Sequence, residues 1–377
     1  MGVMCRGYIG GRFYFLVVWI MIASRQARGE DVSSFFKLSS SERAKFVDDN
    51  QEIQLSLDQS DGSGFSSYSE FLFGMFNMRI KMIPGDSAGT VTTYYFTSFG
   101  ATHDELDFEF LGNQTGEPII LQTNVYASGV GDREQRIFLW FDPAADFHNY
   151  TLLWNTQQVV FYVDGVPIRV YPNIQDATGV PYLQGQPMYL FGTIWNGDSW
   201  ATQGGKIKTD WTLAPFIASY RDFSVDACAD KVATSTCAST KWWNQQQYEA
   251  LDSSLLGQLN WVKENYMVYD YCTDYARFNA TPIECGYTTP TPSTSPTLPP
   301  NSSPLAPTSP SSATPPLSPT SNSRSSTTPP LSPTSNSSAE PIPPSLAPSQ
   351  SKAPNSNHLQ WFLHITVVAI FLFTFTT

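Results

Sequence analysis

Three acidic side chains occupy alternate positions in one short stretch of the sequence. Glu105, Asp107 and Glu109 share one parity, and a period of two is typical of a β-strand. We therefore expect the three carboxylates on one face of a strand and apolar side chains on the other. The apolar residues between and after them are Leu106, Phe108 and Phe110.

A pair of close carboxylates can cleave a glycosidic bond, because one attacks or steadies the sugar carbon while the other protonates the leaving oxygen. In a flat strand, Glu105 and Glu109 lie about 13 Å apart at Cα. Cleavage with retention needs carboxyls about 5–5.5 Å apart, so both would lean over Asp107 on a concave face, whereas about 8 Å or more favours inversion. We favour catalysis; a calcium site and a solvated acidic face are the alternatives.

Composition narrows the classes of ligand. The chain has 377 residues and a net charge of −12, which argues against nucleic acid because phosphates need a basic surface. Aromatic residues make up 14% of the chain, which suits stacking on sugar rings and equally suits a thick sandwich core. The cysteine spacing does not suggest zinc, and we expect neither a metal nor a cofactor.

Both ends of the sequence differ in composition from its middle. Residues 1–29 are interpreted as a signal peptide, with arginines before a short apolar run. Residues 288–357, rich in Pro, Ser and Thr, are predicted to form a disordered stalk. Residues 358–377 are hydrophobic and are interpreted as a GPI-anchor signal, the alternative being a membrane-spanning tail.

The region between these ends has two parts. Residues 30–226 contain short alternating runs separated by turn signals, which predicts a two-sheet sandwich or jelly roll. Residues 227–287 contain a helix-compatible stretch, a further strand and four cysteines. With a secretory signal these indicate two disulfides; three connectivities are possible, and proximity favours Cys228–Cys237 and Cys272–Cys285.

The stretch from His103 to Asn113, HDELDFEFLGN, resembles the active-site signature of the xyloglucan endotransglucosylase/hydrolase family, a branch of glycoside hydrolase family 16. Related laminarinase-type enzymes carry one more residue between the acids, which implies a bulge, so a regular strand is expected here. The resemblance extends from about Asp58 to Cys285. Other matching segments are Phe71–Gly74, Pro84–Val91, Leu121–Val125, Arg133–Arg136, Leu139–Pro143, Trp195–Asn196, Trp200–Thr202, Lys208–Trp211 and Ala214–Phe216.

The resemblance implies a β-jelly-roll sandwich with a curved, cleft-bearing sheet, followed by a disulfide-stapled C-terminal extension that lengthens the cleft on the acceptor side. It implies that Glu105 is the nucleophile, Glu109 the general acid/base and Asp107 a helper between them. It also implies glycosylation at Asn113. The residues expected to bind substrate are Tyr95, His103, Gln122, Asn124, Arg136, Trp195, Trp200 and Gly204.

The expected function is that of a secreted, monomeric xyloglucan endotransglucosylase, tethered outside the plasma membrane in the cell wall. It would transfer a cleaved xyloglucan chain to a saccharide acceptor. Ser199 and Gln203 depart from the family pattern, which puts the acceptor preference in question. The alternatives are a xyloglucan or mixed-linkage glucan endohydrolase and a non-catalytic polysaccharide-binding protein of the wall.

Overall fold

The computed structural model describes residues 31–229 and 235–287; the predicted signal peptide, stalk and anchor signal lie outside them. Antiparallel strands dominate this part of the chain, as the alternating pattern predicts. The strands are β1 (Phe36–Leu38), β2 (Ala44–Val47), β3 (Glu52–Leu57), β4 (Ser63–Lys81), β5 (Thr90–Thr97), β6 (Glu105–Leu111), β7 (Ile120–Tyr126), β8 (Gln135–Phe138), β9 (His148–Trp154), β10 (Gln158–Val163), β11 (Val166–Pro172), β12 (Met188–Asn196), β13 (Phe216–Ala229) and β14 (Met267–Asp270).

Helices are short apart from one. The α-helices are α1 (Gln175–Thr178), α2 (Ser235–Thr240) and α3 (Ser253–Asn265). The 3-10 helices are Val32–Ser34, Gln203–Gly205, Trp211–Leu213, Trp242–Asn244, Gln246–Tyr248, Tyr271–Thr273 and Ile283–Gly286. Within residues 31–229 and 235–287, no helix has both the length and the apolar character needed to cross a membrane.

Strand β4 connects the two layers of the sandwich. Its first half pairs with β1 and β12, and its second half pairs with β9 and β13. The change of partner occurs near Phe73 and Gly74, where the φ of 68° at Phe73 bends the strand. A Cβ at Gly74 would lie 2.5 Å from the Cβ of Ala227, so only glycine allows β13 to approach here.

The two layers follow from this change of partner. The sheet that carries the acidic strand runs in the order β4-β12-β5-β6-β7-β8-β14, and β11-β10-β9 continue from the second half of β4. Aromatic side chains fill the space between the layers: the ring of Phe108 on β6 lies 5.0 Å from that of Phe161 on β10. Burial of such rings provides the main driving force for the sandwich.

The C-terminal extension is bound to the edge of the acidic sheet. Strand β14 pairs with β8, and helix α3 begins after the N-cap Asp252, whose carboxylate accepts from Leu255 N at 2.9 Å. Two disulfides, Cys228–Cys237 and Cys272–Cys285, have the pairing favoured by proximity. The expected helix and strand are present, and the structure adds the short helix α2, which contains Cys237 of the first disulfide.

Candidate active site

Strand β6 places the three acids on the open face of a central strand. Every residue of β6 from Glu105 to Leu111 has a partner on both β5 and β7, without a register shift, so the strand is regular as the spacing predicts. Phe108 and Phe110 point into the core, where Phe110 contacts Tyr150 at 4.8 Å between ring centroids. This anchoring fixes the opposite parity, and hence the carboxylates, on the other face.

The neighbouring strands bring predicted binding residues alongside the acids. Directly opposite residues of an antiparallel pair share a face, and Asp107 is opposite Tyr95 on β5 and Asn124 on β7. Glu109 is opposite Gln122 on β7. The structure therefore brings Tyr95 from β5 together with Gln122 and Asn124 from β7 around the acids.

A chain of hydrogen bonds leads to Glu109. The Arg136 Nε donates to the Gln122 Oε1 at 2.7 Å, and the Gln122 Nε2 donates to the Glu109 carboxylate through a short bond. The Arg136 guanidinium lies 5.3 Å from the centroid of the Tyr269 ring on β14. The C-terminal extension thus holds Arg136, which orients Gln122, which in turn orients the Glu109 carboxylate.

The side chain of Asn124 is oriented by backbone groups. Its Oδ1 accepts from Val125 N at 2.9 Å and from Arg133 N at 3.1 Å. Because both partners are N–H donors, the oxygen of the amide is assigned to this side. The amide NH₂ is then the group available to Asp107, the residue opposite in register.

Burial raises the pKa of all three acids. Asp107 is only 6% exposed, and burial followed by the charges of Glu105 and Glu109 raises its pKa well above the ordinary value. Burial raises the pKa of Glu105 to about 7, opposed by hydrogen bonding with Thr97 and increased by the charge of Glu109. Like charges on one face therefore favour protonated states near neutral pH.

The pKa of Glu109 is also raised to about 7, but its environment is different. Burial is the largest cause, the hydrogen bond from Gln122 opposes it, and the nearby charges of Glu134 and Arg136 act in opposite directions. One carboxyl that is ionised beside one that holds a proton is the combination required for glycosidic cleavage. Both are half-buried, so a substrate can reach them.

His103 lies next to the acidic strand rather than among the acids. Its Nδ1 is 3.1 Å from Gly100 O, which fixes the proton on that nitrogen, and its ring stacks on Tyr126 at 5.1 Å between centroids. Tyr126 is opposite Glu105 in register. His103 therefore supports Tyr126, the neighbour of Glu105.

Trp195 and Trp200 lie together at the end of β12. Their ring centroids are 6.0 Å apart with a 44° tilt, and both rings are partly exposed. Gly204 follows in a 3-10 turn with φ 68°. The loop between Trp195 and Trp200 is fixed because Asp198 Oδ1 accepts hydrogen bonds from the backbone N–H and the hydroxyl of Thr209, at 2.7 and 2.8 Å.

Asn113 comes directly after β6. Its Nδ2 donates to Pro118 O at 2.9 Å, and the side chain is half-buried at the surface. Glycosylation of this side chain stays a prediction. Among residues 31–229 and 235–287, no group of three or more His, Cys, Asp or Glu side chains is arranged to hold a metal ion.

Some residues near the acids were not expected from the sequence. Arg169 on β11 is 2% exposed, and its Nη1 donates to Thr123 O at 2.9 Å and to Thr123 Oγ1 at 3.0 Å. Thr123 is opposite Phe108, so this cation lies behind the acidic strand, and its charge lowers the pKa of Asp107. A lone arginine within a β-strand pattern carries no signal for such a position.

Comparison with known proteins identifies the family. The model of glycosyl hydrolases family 16 matches residues 33–213, and that of the xyloglucan endo-transglycosylase (XET) C-terminus matches residues 237–285. "Xyloglucan endotransglucosylase protein 34" of Populus tremula x Populus tremuloides is 52% identical over 243 residues, 64% of this chain and 82% of that protein. The chain belongs to the xyloglucan endotransglucosylase/hydrolase family.

Other members of the family show the same extent of similarity. "Xyloglucan endotransglucosylase/hydrolase protein A" of Phaseolus angularis is 52% identical, over 64% of this chain and 83% of that protein. "Probable xyloglucan endotransglucosylase/hydrolase protein 5" of Arabidopsis thaliana is 49% identical, over 67% of this chain and 86% of that protein. Among solved structures, Bacillus licheniformis beta-glucanase is 19% identical over 51% of this chain and 92% of that chain, with a TM-score of 0.42.

Proposed function

We propose that this member of the xyloglucan endotransglucosylase/hydrolase family is a xyloglucan endotransglucosylase. The observation that carries the proposal is the acid trio on the regular central strand β6, with Glu109 held by Gln122 and Arg136. Relatives about 50% identical are named xyloglucan endotransglucosylases. The enzyme would cut the β-1,4-glucan backbone of xyloglucan and join the cut end to another saccharide.

In the first step, the Glu105 carboxylate attacks the anomeric carbon of the donor while Glu109 gives its proton to the leaving glycosidic oxygen. The bond from carbon to the leaving oxygen breaks, and an ester bond to Glu105 forms. The free part of the donor departs with a new hydroxyl. Glu109 is left as a carboxylate, stabilised by the Gln122 amide.

In the second step, the Glu109 carboxylate removes the proton from the 4-hydroxyl of an acceptor sugar. That oxygen attacks the anomeric carbon, the ester bond breaks, and Glu105 is restored as a carboxylate. Two displacements at the same carbon retain its configuration. Asp107, buried between the pair, is proposed to share a proton or hydrogen bond with them, which keeps the pair in different protonation states.

The proposal includes the surroundings of the enzyme. Xyloglucan would be both donor and acceptor, and the protein would act as a monomer in the cell wall. The tail at residues 358–377 would be replaced by a GPI anchor on the outer membrane leaflet. Release from cells by a phosphatidylinositol-specific phospholipase supports this anchor, and retention after that treatment argues for a membrane-spanning tail.

The experiment is label transfer. The full chain is incubated with polymeric xyloglucan and a labelled xyloglucan oligosaccharide, beside a Glu105→Gln variant. Label in the polymer that disappears in the variant supports the transferase. A falling polymer size without label indicates a hydrolase, and binding without either change indicates a polysaccharide-binding protein.

A further inference from the structure

Four aromatic side chains form a continuous group beside the acids. The rings of Tyr95 and Phe191 are stacked, 5.3 Å apart between centroids. Phe191 lies 6.4 Å from Tyr189 and 6.5 Å from Phe99, and Tyr189 and Phe99 are 5.7 Å apart with a 40° tilt. Phe99 and Tyr189 are called the Phe99–Tyr189 platform below.

The strand register places this group on the same face as the acids. Tyr189 on β12 is opposite Thr97 on β5, which is opposite Glu105 on β6. One row along, Phe191 is opposite Tyr95, which is opposite Asp107. Opposite residues share a face of the sheet, so the platform continues the open face on which the reaction takes place.

The outer ring of the platform is exposed although its loop is fixed. Phe99 is 57% exposed, whereas Phe191 beneath it is 8% exposed. The loop is pinned where Ser98 N donates to Asp104 O at 3.0 Å and where Gln186 Nε2 donates to Thr102 O at 2.7 Å. A large ring held in water at the rim of a cleft loses hydrophobic stabilisation, which a bound apolar surface restores.

The platform lies to one side of the cleft floor. On β12, Tyr189, Phe191, Thr193 and Trp195 alternate onto the open face, and Thr193 Oγ1 lies 2.7 Å from Thr93 Oγ1 to give a polar floor. Tyr189 and Trp195 are six residues apart, about 20 Å along the strand. A single glucan chain crossing the strands is one sugar ring wide, so it cannot contact both Tyr189 and Trp195. A sugar on a branch can reach the second of these two rings.

We propose that Phe99 and Tyr189 bind a branch pyranose of the donor polysaccharide, by stacking on its C–H face. The platform lies across β5 and β12, on the opposite side of β6 from β14 and the C-terminal extension, which is the donor side if the extension serves the acceptor. Glu70, opposite Tyr189 on β4, places a carboxylate beside the phenol for the branch hydroxyls. This inference rests on the proposed function and specifies its donor.

The test separates donors with and without branches. Transfer to a saturating labelled acceptor is measured for the full chain with xyloglucan and with a soluble unbranched β-1,4-glucan as donors. In Phe99→Ala and Tyr189→Ser, kcat/KM for the branched donor falls about 3- to 10-fold, the range of one aromatic contact. The value of kcat/KM for the unbranched donor and the KM for the acceptor change by less than about twofold. Tyr189→Phe keeps the ring and retains the wild-type preference.

Several results would overturn the inference. An equal loss with both donors would mean that the rings contact the backbone or only support the fold, and unchanged values would mean that they contact no sugar. Ile217→Ala, an exposed apolar residue on β13, controls for loss of surface apolar area.

A failure of the proposed function gives a different result. If wild type transfers nothing, the branched and unbranched oligosaccharides are titrated against Glu105→Gln with and without Phe99→Ala. A binding preference for the branched sugar that Phe99→Ala removes keeps the platform, whereas no preference refutes it.

Discussion

Replacing Glu105 by Gln should stabilise the fold at neutral pH while it abolishes transfer. Burial and repulsion raise the pKa of Glu105 from 4.5 to about 7, so the folded protein binds this proton more tightly than the unfolded chain does. The stability contributed by the protonated carboxyl is fully present below about pH 4.5 and is lost as pH rises through about 7. Gln cannot ionise, so the variant does not lose it.

The size of the effect follows from the pKa. At ~1.4 kcal/mol per pKa unit, ionisation of an isolated carboxyl at pH 7 would remove about 3 kcal/mol of folding stability. Glu105 is half-buried and shares its repulsion with Asp107 and Glu109, so we expect about 2 kcal/mol. Wild type and variant should have similar free energies of unfolding near pH 4.5, and the variant should be more stable at pH 7.

The assay is equilibrium unfolding in urea between pH 4.5 and 7.5, with transfer activity measured in parallel. Glu264→Gln, on the exposed face of α3, controls for the loss of one acidic charge. A difference in unfolding free energy between wild type and Glu105→Gln that does not change with pH would mean that the pKa of Glu105 is not raised in the folded site.

Other predictions concern the partner of Glu109, a buried ion pair and a core side chain behind the acids. In Gln122→Leu, Glu109 loses the hydrogen bond that stabilises its carboxylate, so the pKa of Glu109 should rise. The basic limb of the plot of kcat/KM against pH should then move up by about one pH unit, and an unmoved limb would contradict this. Arg133→Met leaves the Glu284 carboxylate buried without its 2.7 Å partner and should lower the free energy of unfolding in urea by about 3–5 kcal/mol. Adding Glu284→Gln to Arg133→Met should restore part of this loss, whereas additive losses in the double variant would argue against coupling of the two side chains. Phe108→Ala should lower the unfolding free energy by about 3–5 kcal/mol, and a loss below about 1 kcal/mol would mean that this core position collapses around the cavity.

The sequence was sufficient for the acidic strand because its signal is local. Alternation from Glu105 to Phe110 determines both the strand and its faces, and the helix-compatible stretch expected in residues 227–287 is helix α3. The change of layer in β4 was not apparent, because it depends on the close approach of Ala227 to Gly74, residues far apart in sequence. Local patterns do not encode such contacts.

The surroundings of the acids were only partly predictable. Gln122 and Arg136 were candidates through resemblance alone, and their order, in which Arg136 orients Gln122, requires the register of β7 and β8. Phe99 and Tyr189 are 90 positions apart, and only the pairing of β5 with β12 brings their rings together. A buried cation such as Arg169 becomes visible only when the two layers are packed.

In the proposed mechanism, Glu105 attacks the sugar and carries it between donor and acceptor. The attached sugar can be trapped by quenching the wild-type protein with acid during turnover of xyloglucan, without added acceptor, and mapped by peptide mass spectrometry. We expect an ester-linked glycan on Glu105 that disappears when acceptor is added before the quench. A glycan on Asp107 or Glu109, or a product of inverted configuration with no attached glycan, would rule out Glu105 as the nucleophile.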